Sequence, residues 1–449
     1  MSTDSEAGRG AERYRLAALG AASTAVSRLA GVALIVLSVR WTTPVLGPER
    51  FGVFATFSSL AVMLSFLDLG VGNALVNRVA HATATGDTRE IGRAVMGGVC
   101  WLTVIGFGGA VLLAAAGAWI PWTRLFALSS LATGRETRTA ALLYSGLFGL
   151  NILSGGLLKI LQGQQRSHEA QIIASVGALI GCIATWWMVR HAPQIGMLLL
   201  ASVGMPSATV LVPVLWLLHR RRLLDWPRAI PSMMQERRAL LTTSVMFLLL
   251  QIGTMIGWGG DSFLLAGIVG ASEVGAFAVA QRLFMFASQP VSILNGSLWA
   301  AYADAHARRE HAFIRKAFIS SAIASMIMVT VVSILLLVFG RWIVAYWTEG
   351  TIVMPWLLLV AFAVWTPLES AGSVLSVYLN GTGIVRQQVI VVICFCVVAL
   401  PAKILAAMHA GALGLVTATI AAYAVTVAGL YGTVFRSQIL APIRPPRQV

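Results

Sequence analysis

Apolar residues run through this chain in blocks of about 20 to 30, each closed by a short polar and mostly basic stretch. A run of about 20 apolar residues is enough for a helix to cross the hydrocarbon core of a bilayer. Such blocks fall at 16–39, 51–76, 94–120, 138–160, 171–190 and 196–218. They recur at 239–268, 273–303, 317–340, 351–379, 388–407 and 411–434. The pattern predicts an all-α integral membrane protein of about 12 transmembrane helices. The longest inner connection, HRRRLLDWPRAIPSMMQERR from His219 to Arg238, divides them six and six. The expected organisation is a tail over 1–15, an N-lobe over 16–218, a linker over 219–238, a C-lobe over 239–434 and a tail over 435–449. The linker's arginines and its two prolines, Pro227 and Pro231, suit a segment lying along the inner membrane surface. A plain basic loop is the competing reading.

A shift of 223 residues pairs Gly47 with Gly270, Gly52 with Gly275, Phe54 with Phe277 and Ala55 with Ala278. The same shift pairs Leu75 with Leu298, Ala80 with Ala303, Ile91 with Ile314 and Arg93 with Lys316. One offset held over so long a stretch points to two lobes related by duplication. That is the sequence mark of a secondary transporter built from repeats.

Composition narrows the class. The chain is 58% hydrophobic and 11% charged, with a mean hydropathy of +0.82, whereas soluble domains run near 25% charged. The net charge of +15 would suggest nucleic acid in a soluble protein. Here the excess of basic residues follows the cytoplasmic loops of a membrane protein, and no nucleic-acid partner is expected. With the N-terminus inside, 22 of the 32 basic residues fall on inner segments and 8 on outer ones, which predicts both termini in the cytoplasm. Cys100, Cys182, Cys394 and Cys396 lie in apolar stretches and read as small packing residues, neither disulfides nor metal ligands. The start, MSTDSEAGRGAERYR, reads as a polar tail and not a signal peptide.

Ionisable residues inside a span are costly and mark function by default. Arg28 sits near the middle of the first span among Ser23, Thr24, Ser27 and Gly31, a face of small and polar residues. It either faces a cavity or belongs to a structural ion pair. Counting from the outer turns at Gly47 and near Ala271 puts Arg28 level with Asp68, and Asp261 level with Arg282. Two acid–base pairs, one per half, are therefore expected. Asp68 has a second reading as a cap before a kink over Leu69–Gly72, and Asp261 as the lining of an outer vestibule. Glu369, just after Thr366 and Pro367, is a candidate ion or kink site. Asn73 and Gln251 are candidates for a cavity wall, as are Asn77, Gln281 and Asn295; glue between helices is the other reading for each. Lys403, after Pro401, reads as an anchor at the outer interface.

Some chemistry is missing. No GxxxxGK[ST] loop is present for ATP hydrolysis, and His306 and His311 miss the i, i+4 spacing of a helical zinc site. Neither a metal nor a cofactor is expected. No outer loop much exceeds about 20 residues, too little for the external catalytic loop of a membrane glycan polymerase or glycosyltransferase.

The stretches LGPERFGVFATFSSL, SFLDLGVGNALVNRVAHATATGD, IVGASEVGAFAVAQRLF and SLWAAYADAHARRE resemble polysaccharide exporters of the O-antigen flippase (Wzx) type. These belong to the multidrug/oligosaccharidyl-lipid/polysaccharide superfamily. The resemblance implies an alternating-access transporter, a V-shaped pair of six-helix lobes around a central cavity in the bacterial cytoplasmic membrane. It implies a cargo of undecaprenyl-pyrophosphate-linked oligosaccharide, turned from the inner to the outer leaflet. Partners would be membrane lipids, the polysaccharide polymerase with its chain-length machinery, and a coupling ion, Na+ or H+. Arg28 and Arg282 resemble the cavity arginines that such flippases turn toward the lipid pyrophosphate, with Asp68 and Asp261 matching less closely. A multidrug exporter of the same superfamily is the main alternative, although two central arginines would repel an organic cation. A non-transporting assembly partner is a further one.

Overall fold

The computed structural model describes residues 3–436, except 65–67, 69, 86, 165, 225, 238–247, 249, 250, 252, 254 and 309. For 3–25 and some further residues within helices, Asn73 and Asn77 among them, it describes the backbone alone. Among the described residues every regular element is helical. Eight segments of the described residues are long and apolar enough to span a membrane. Two of these, Val26–Ala61 and Arg386–Gly432, are double-length and broken near their middles, at Gly47 and at Ala410–Gly411. The contacts divide the chain into two compact units. One comprises Met1–Leu46, Phe57–Trp122 and Ser130–Gln251; the other comprises Gly47–Thr56, Thr123–Ser129 and Ile252–Val449.

The first helix, α1 (Thr3–Leu64), breaks at Gly47, whose φ of 70° and ψ of 175° lie outside helical geometry. Pro48 follows, and a residue before proline is driven from the helical region; glycine alone takes the positive φ without strain. The second arm does not run to 76 as the hydropathy suggests. The arm is described as far as Leu64, and α2 (Val71–Thr85) begins after the turn residues Asp68 and Gly70. The acid and the two glycines of Asp-Leu-Gly-Val-Gly explain the restart, because the Asp68 side chain accepts from the backbone of Gly70 and Gly72. Helix α3 (Thr88–Trp119) is capped by Asp87, which accepts from the amides of Arg89 and Glu90. Helix α4 (Leu131–Gly163) is capped by Ser130. Helices α5 (Ser167–His191) and α6 (Ile195–Arg220) follow, α6 containing a π-helical turn at Leu200–Gly204. The linker holds a 3-10 turn at Trp226–Arg228 and a short helix, α7, over 229–237.

In the second unit a π-helical turn, Met255–Gly259, leads into α8 (Asp261–Ile268). Helices α9 (Ala271–Ala307), α10 (His311–Trp347), α11 (Trp356–Gly381) and α12 (Val385–Tyr423) complete it. Residues 239–247, 249, 250, 252 and 254 of the expected seventh span lie outside the described residues. The core between α9, α10 and α11 is apolar and aromatic, with Tyr302 and Tyr378 crossing edge-on at 5.8 Å.

The surface is that of a membrane protein. Helix α10 exposes Ile323, Ile327, Val331, Ile334 and Val338 along its length, a patch far larger than a soluble monomer tolerates. Exposed Trp119, Trp342 and Tyr346 gather at helix ends, as interfacial aromatics do.

The 223-residue offset has a physical counterpart. Gly270, like Gly47, has a positive φ, 105° against 70°. A Cβ on Gly52 would meet the carbonyl oxygen of Ala271, and one on Gly275 would lie 3.4 Å from the carbonyl oxygen of Pro48. Pro48 and Ala271 are themselves 223 apart, so the two contacts are reciprocal. A two-fold relation between repeats produces this arrangement.

Candidate functional site

Among the described residues each unit has one lysine–aspartate pair, and neither is the pair that hairpin arithmetic gives. In the first unit Asp68 is buried at the break between α1 and α2. Its Oδ1 accepts from Gly70 N at 3.0 Å and its Oδ2 from Gly72 N at 3.0 Å. The basic partner is Lys159 of α4, whose Nζ donates to Oδ2 at 2.9 Å. Gln251 Nε2 reaches Oδ1 at 3.4 Å. Asp68 is thus a helix cap and an ion-pair acid together, and its partner is Lys159, not Arg28. Gly72 permits the arrangement, because a Cβ there would collide with Asp68 Oδ2 and fall 2.6 Å from Lys159 Nζ.

In the second unit Asp261 opens α8. Its partner is Lys403 of α12, at 2.8 Å between Nζ and Oδ1, and not Arg282. Lys403 is fully buried and so is no interfacial anchor. Its ammonium also donates to the carbonyl oxygen of Gly257 within the π-helical turn. A π-turn shifts backbone carbonyls out of the regular ladder and recurs at functional sites; here it leaves one for the lysine. Gly253 and Gly257, spaced as Gly-x-x-x-Gly, bring this segment close to α12. A Cβ on Gly253 would strike Val392, and one on Gly257 would strike Phe395, the small-residue packing typical of membrane helices. Cys396 Sγ adds a bond to Gly253 O at 3.2 Å.

Beside this pair, Glu369 stands on α11, which continues through Pro367 as one helix while Thr366 Oγ1 bonds back to Phe362 O. Glu369 is exposed, although Thr366, Pro367 and Ser370 around it are buried. It lies within electrostatic range of Asp261 and of Tyr423. Tyr423 ends α12 just before a second π-turn, Ala424–Ala428, and its ring meets Trp365 edge-on at 5.4 Å. Further along α11, Ser373 accepts from Asn295 Nδ2 at 2.9 Å, so Asn295 joins two helices.

The predicted arginines stand elsewhere. Arg28 is half-buried on the first arm of α1, between exposed Val26 and Leu29. Arg282 is half-buried on α9, and among the described residues no hydrogen bond or ion pair reaches its guanidinium. The side chain of Asn73 lies outside the described residues. Among the described residues no three of His, Cys, Asp or Glu converge as a metal site.

At the polar end of α2 a second network holds the linker. Arg78 donates to both carboxylate oxygens of Glu236, at 2.8 and 3.1 Å, and to Glu90 at 2.6 Å. The hydrogen bond to Glu236, reinforced by Glu90, holds the guanidinium above its ordinary range. Arg78 is charged at every working pH.

Lys159 and Lys403 are what sequence reasoning missed. A signal was present: of 32 basic residues only Lys159, Lys316 and Lys403 are lysine, and two of these lie in apolar sequence, LLKIL and PAKIL.

Comparison with known proteins bears on this geometry. A family described as polysaccharide biosynthesis protein matches residues 18–302. No curated protein sequence matches significantly. Among solved structures, an inward-facing multidrug resistance MATE family transporter of the MOP superfamily aligns with a TM-score of 0.72. Its identity is 15%, over 93% of this chain and 98% of its own. The lipid II flippase MurJ, in an inward closed conformation, gives 0.70 at 14% identity, covering 95% of this chain and 90% of its own. A MOP superfamily transporter from Pyrococcus furiosus, described by the reverse polarity of its binding pocket, gives 0.68 at 14% identity, covering 96% of each chain. At such identities the likeness is one of fold, the all-helical fold of MOP superfamily transporters.

Proposed function

This chain belongs to the polysaccharide biosynthesis protein family, and from that premise we propose that it is a flippase for a lipid-linked oligosaccharide. The cargo is an undecaprenyl-pyrophosphate-linked glycan repeat, carried from the inner to the outer leaflet of a bacterial cytoplasmic membrane for surface polysaccharide assembly. Both termini lie in the cytoplasm in this reading. The observation that carries it is Arg282: a half-buried guanidinium on the long helix α9, with no partner among the described residues, in a chain of this family. A sugar headgroup on a pyrophosphate cannot enter hydrocarbon alone, since each desolvated charge and hydroxyl needs a partner. A guanidinium offers phosphate oxygens a planar fork of donors and keeps its charge. Arg28 is assigned the same role in the first half, and Asn73 is assigned to the cavity wall. The ion pairs are assigned to conformational control, Asp68 with Lys159 and Gln251, and Asp261 with Lys403. In the second unit Lys403 already matches the charge of Asp261, and Glu369, within electrostatic range of Asp261, is assigned to a coupling cation, H+ or Na+.

The test is complementation of a deletion strain with leaflet-resolved assay of the lipid-linked glycan. Arg28→Ala and Arg282→Ala are each expected to abolish complementation with protein still in the membrane and with cargo accumulating on the inner leaflet. Arg→Lys should rescue in part. Full activity of both alanine variants overturns the site, and unpolymerised cargo outside the cell overturns the step. One observation favours a multidrug exporter instead: Glu369 lies beside Tyr423, whose ring meets Trp365, and an acid among aromatics suits an organic cation. Purified protein that binds cationic dyes and ignores lipid-linked sugars would decide for that reading.

A further inference from the structure

The linker carries an apolar row that its own unit leaves uncovered. One side of the segment 226–237 is fixed to the bundle. Ser232 and Glu236 are buried, Glu236 is clamped by Arg78, and Met233 O accepts from Trp101 Nε1 at 3.1 Å. Rotated away from that side at i, i+4 and i+8, Trp226, Ile230 and Met234 remain 59%, 71% and 57% exposed. At about 100° per residue along α7, Ile230, Met234 and Arg237 share one face, and Trp226 is exposed on the 3-10 turn just before it. Glu236 is the only acid of this segment and it points inward. The charge displayed outward is therefore entirely positive. The preceding span ends in the same chemistry: exposed Trp216 on α6 lies under the Arg220 guanidinium, 5.3 Å from it. A row of large apolar side chains bordered by arginines, immediately after the end of a span, is out of place in water. It fits the boundary between headgroups and acyl chains.

We propose that the segment Trp226–Arg237 is a docking surface for anionic phospholipid of the adjacent leaflet. Trp226, Ile230 and Met234 enter the upper acyl region, and Arg220 and Arg237 meet the lipid phosphates. The occupant is a phospholipid and not a protein, because the row is a narrow strip level with the end of a span and is complemented by negative charge. The proposal is independent of what the protein carries. Its position also matters: through Glu236 and Arg78 the lipid-facing helix is bonded directly to α2, whose first turn is capped by Asp68.

The test uses the full-length protein in nanodiscs of phosphatidylglycerol or phosphatidylcholine brominated near the headgroup end of the acyl chain. The fluorescence difference between wild type and Trp226→Phe isolates Trp226. That component is expected to be quenched by brominated lipid, to be shielded from aqueous acrylamide, and to be quenched at least about twofold more in phosphatidylglycerol. In the Arg220→Gln/Arg237→Gln variant the phosphatidylglycerol preference should vanish. A nitroxide at Met234→Cys, compared with one at Gln235→Cys, gives a second reading if Trp226→Phe folds poorly: position 234 should favour oxygen and position 235 a water-soluble nickel complex. Quenching of Trp226 by acrylamide and not by lipid, equal quenching in both lipids, or equal nickel access at 234 and 235 would each overturn the proposal.

Discussion

Replacing Lys403 with methionine should destabilise the protein more than any other conservative-volume change in its second unit. The ammonium is fully buried and donates to Asp261 Oδ1 at 2.8 Å and to the Gly257 carbonyl. At that separation, with an effective dielectric constant near 20, the Coulomb attraction is about 6 kcal/mol. Among the described residues Lys403 is the only donor to the Asp261 carboxylate, so methionine strands a buried anion. Breaking such a pair from one side costs about 3–5 kcal/mol. Removing both charges in Asp261→Asn/Lys403→Met should cost far less, about 1–2 kcal/mol, since the asparagine amide can still serve the Gly257 carbonyl. Thermal unfolding in lipid nanodiscs measures the difference. For a unit of this size each kcal/mol moves the midpoint by roughly 2–4 °C, so the single variant should fall by about 10 °C and the double by about 4 °C or less. A double variant as unstable as Lys403→Met would refute the reasoning, since the damage would then come from lost packing and not from an orphaned carboxylate.

Two further outcomes follow from the same geometry. Gly52→Ala should cost about 1–3 kcal/mol or more through overpacking, because its Cβ would overlap the Ala271 carbonyl, whereas Gly275→Ala, with 3.4 Å of room, should be tolerated; paired melting curves separate the two. Arg78→Ala should release the linker helix by breaking the bonds to Glu236 and Glu90, with faster tryptic cleavage at Arg228 and Arg237 than in wild type; unchanged cleavage would mean that Trp101 and the buried face of α7 hold the linker without it.

The apolar blocks announced most of the helices because a bilayer leaves little choice: runs of that length and polarity have nowhere else to go. The glycines at 47 and 270 were legible for a similar reason, since a turn needing positive φ admits few residues. The break in the second span was half visible. Asp68 and the glycines after it read as a cap, but hydropathy averaged over 51–76 concealed the unwound turn. The ion pairs were not legible. Counting along a hairpin assumes that charges pair with the next helix in sequence, yet Lys159 and Lys403 are 91 and 142 residues from their acids. Which helices become neighbours in a bundle depends on close packing of small residues such as Gly72, Gly253 and Gly257. Their spacing is visible in a sequence, but their partners are not. Both lysines also lie toward the ends of apolar runs, where a cation looks at home in a loop or at an interface.

The reciprocal contact of Gly52 and Gly275 repeats a backbone, but the charges beside it do not repeat. Counted by the same offset, Asp68 corresponds to Val291, Lys159 to Thr382, Asp261 to Ser38 and Lys403 to Ile180. Across the offset the positive-φ turns at Gly47 and Gly270 are kept and the ion pairs are not. Two segments alike in backbone therefore belong to halves of unlike charge. An electrically lopsided pair of twins can divide a labour that a perfectly matched pair would have to share.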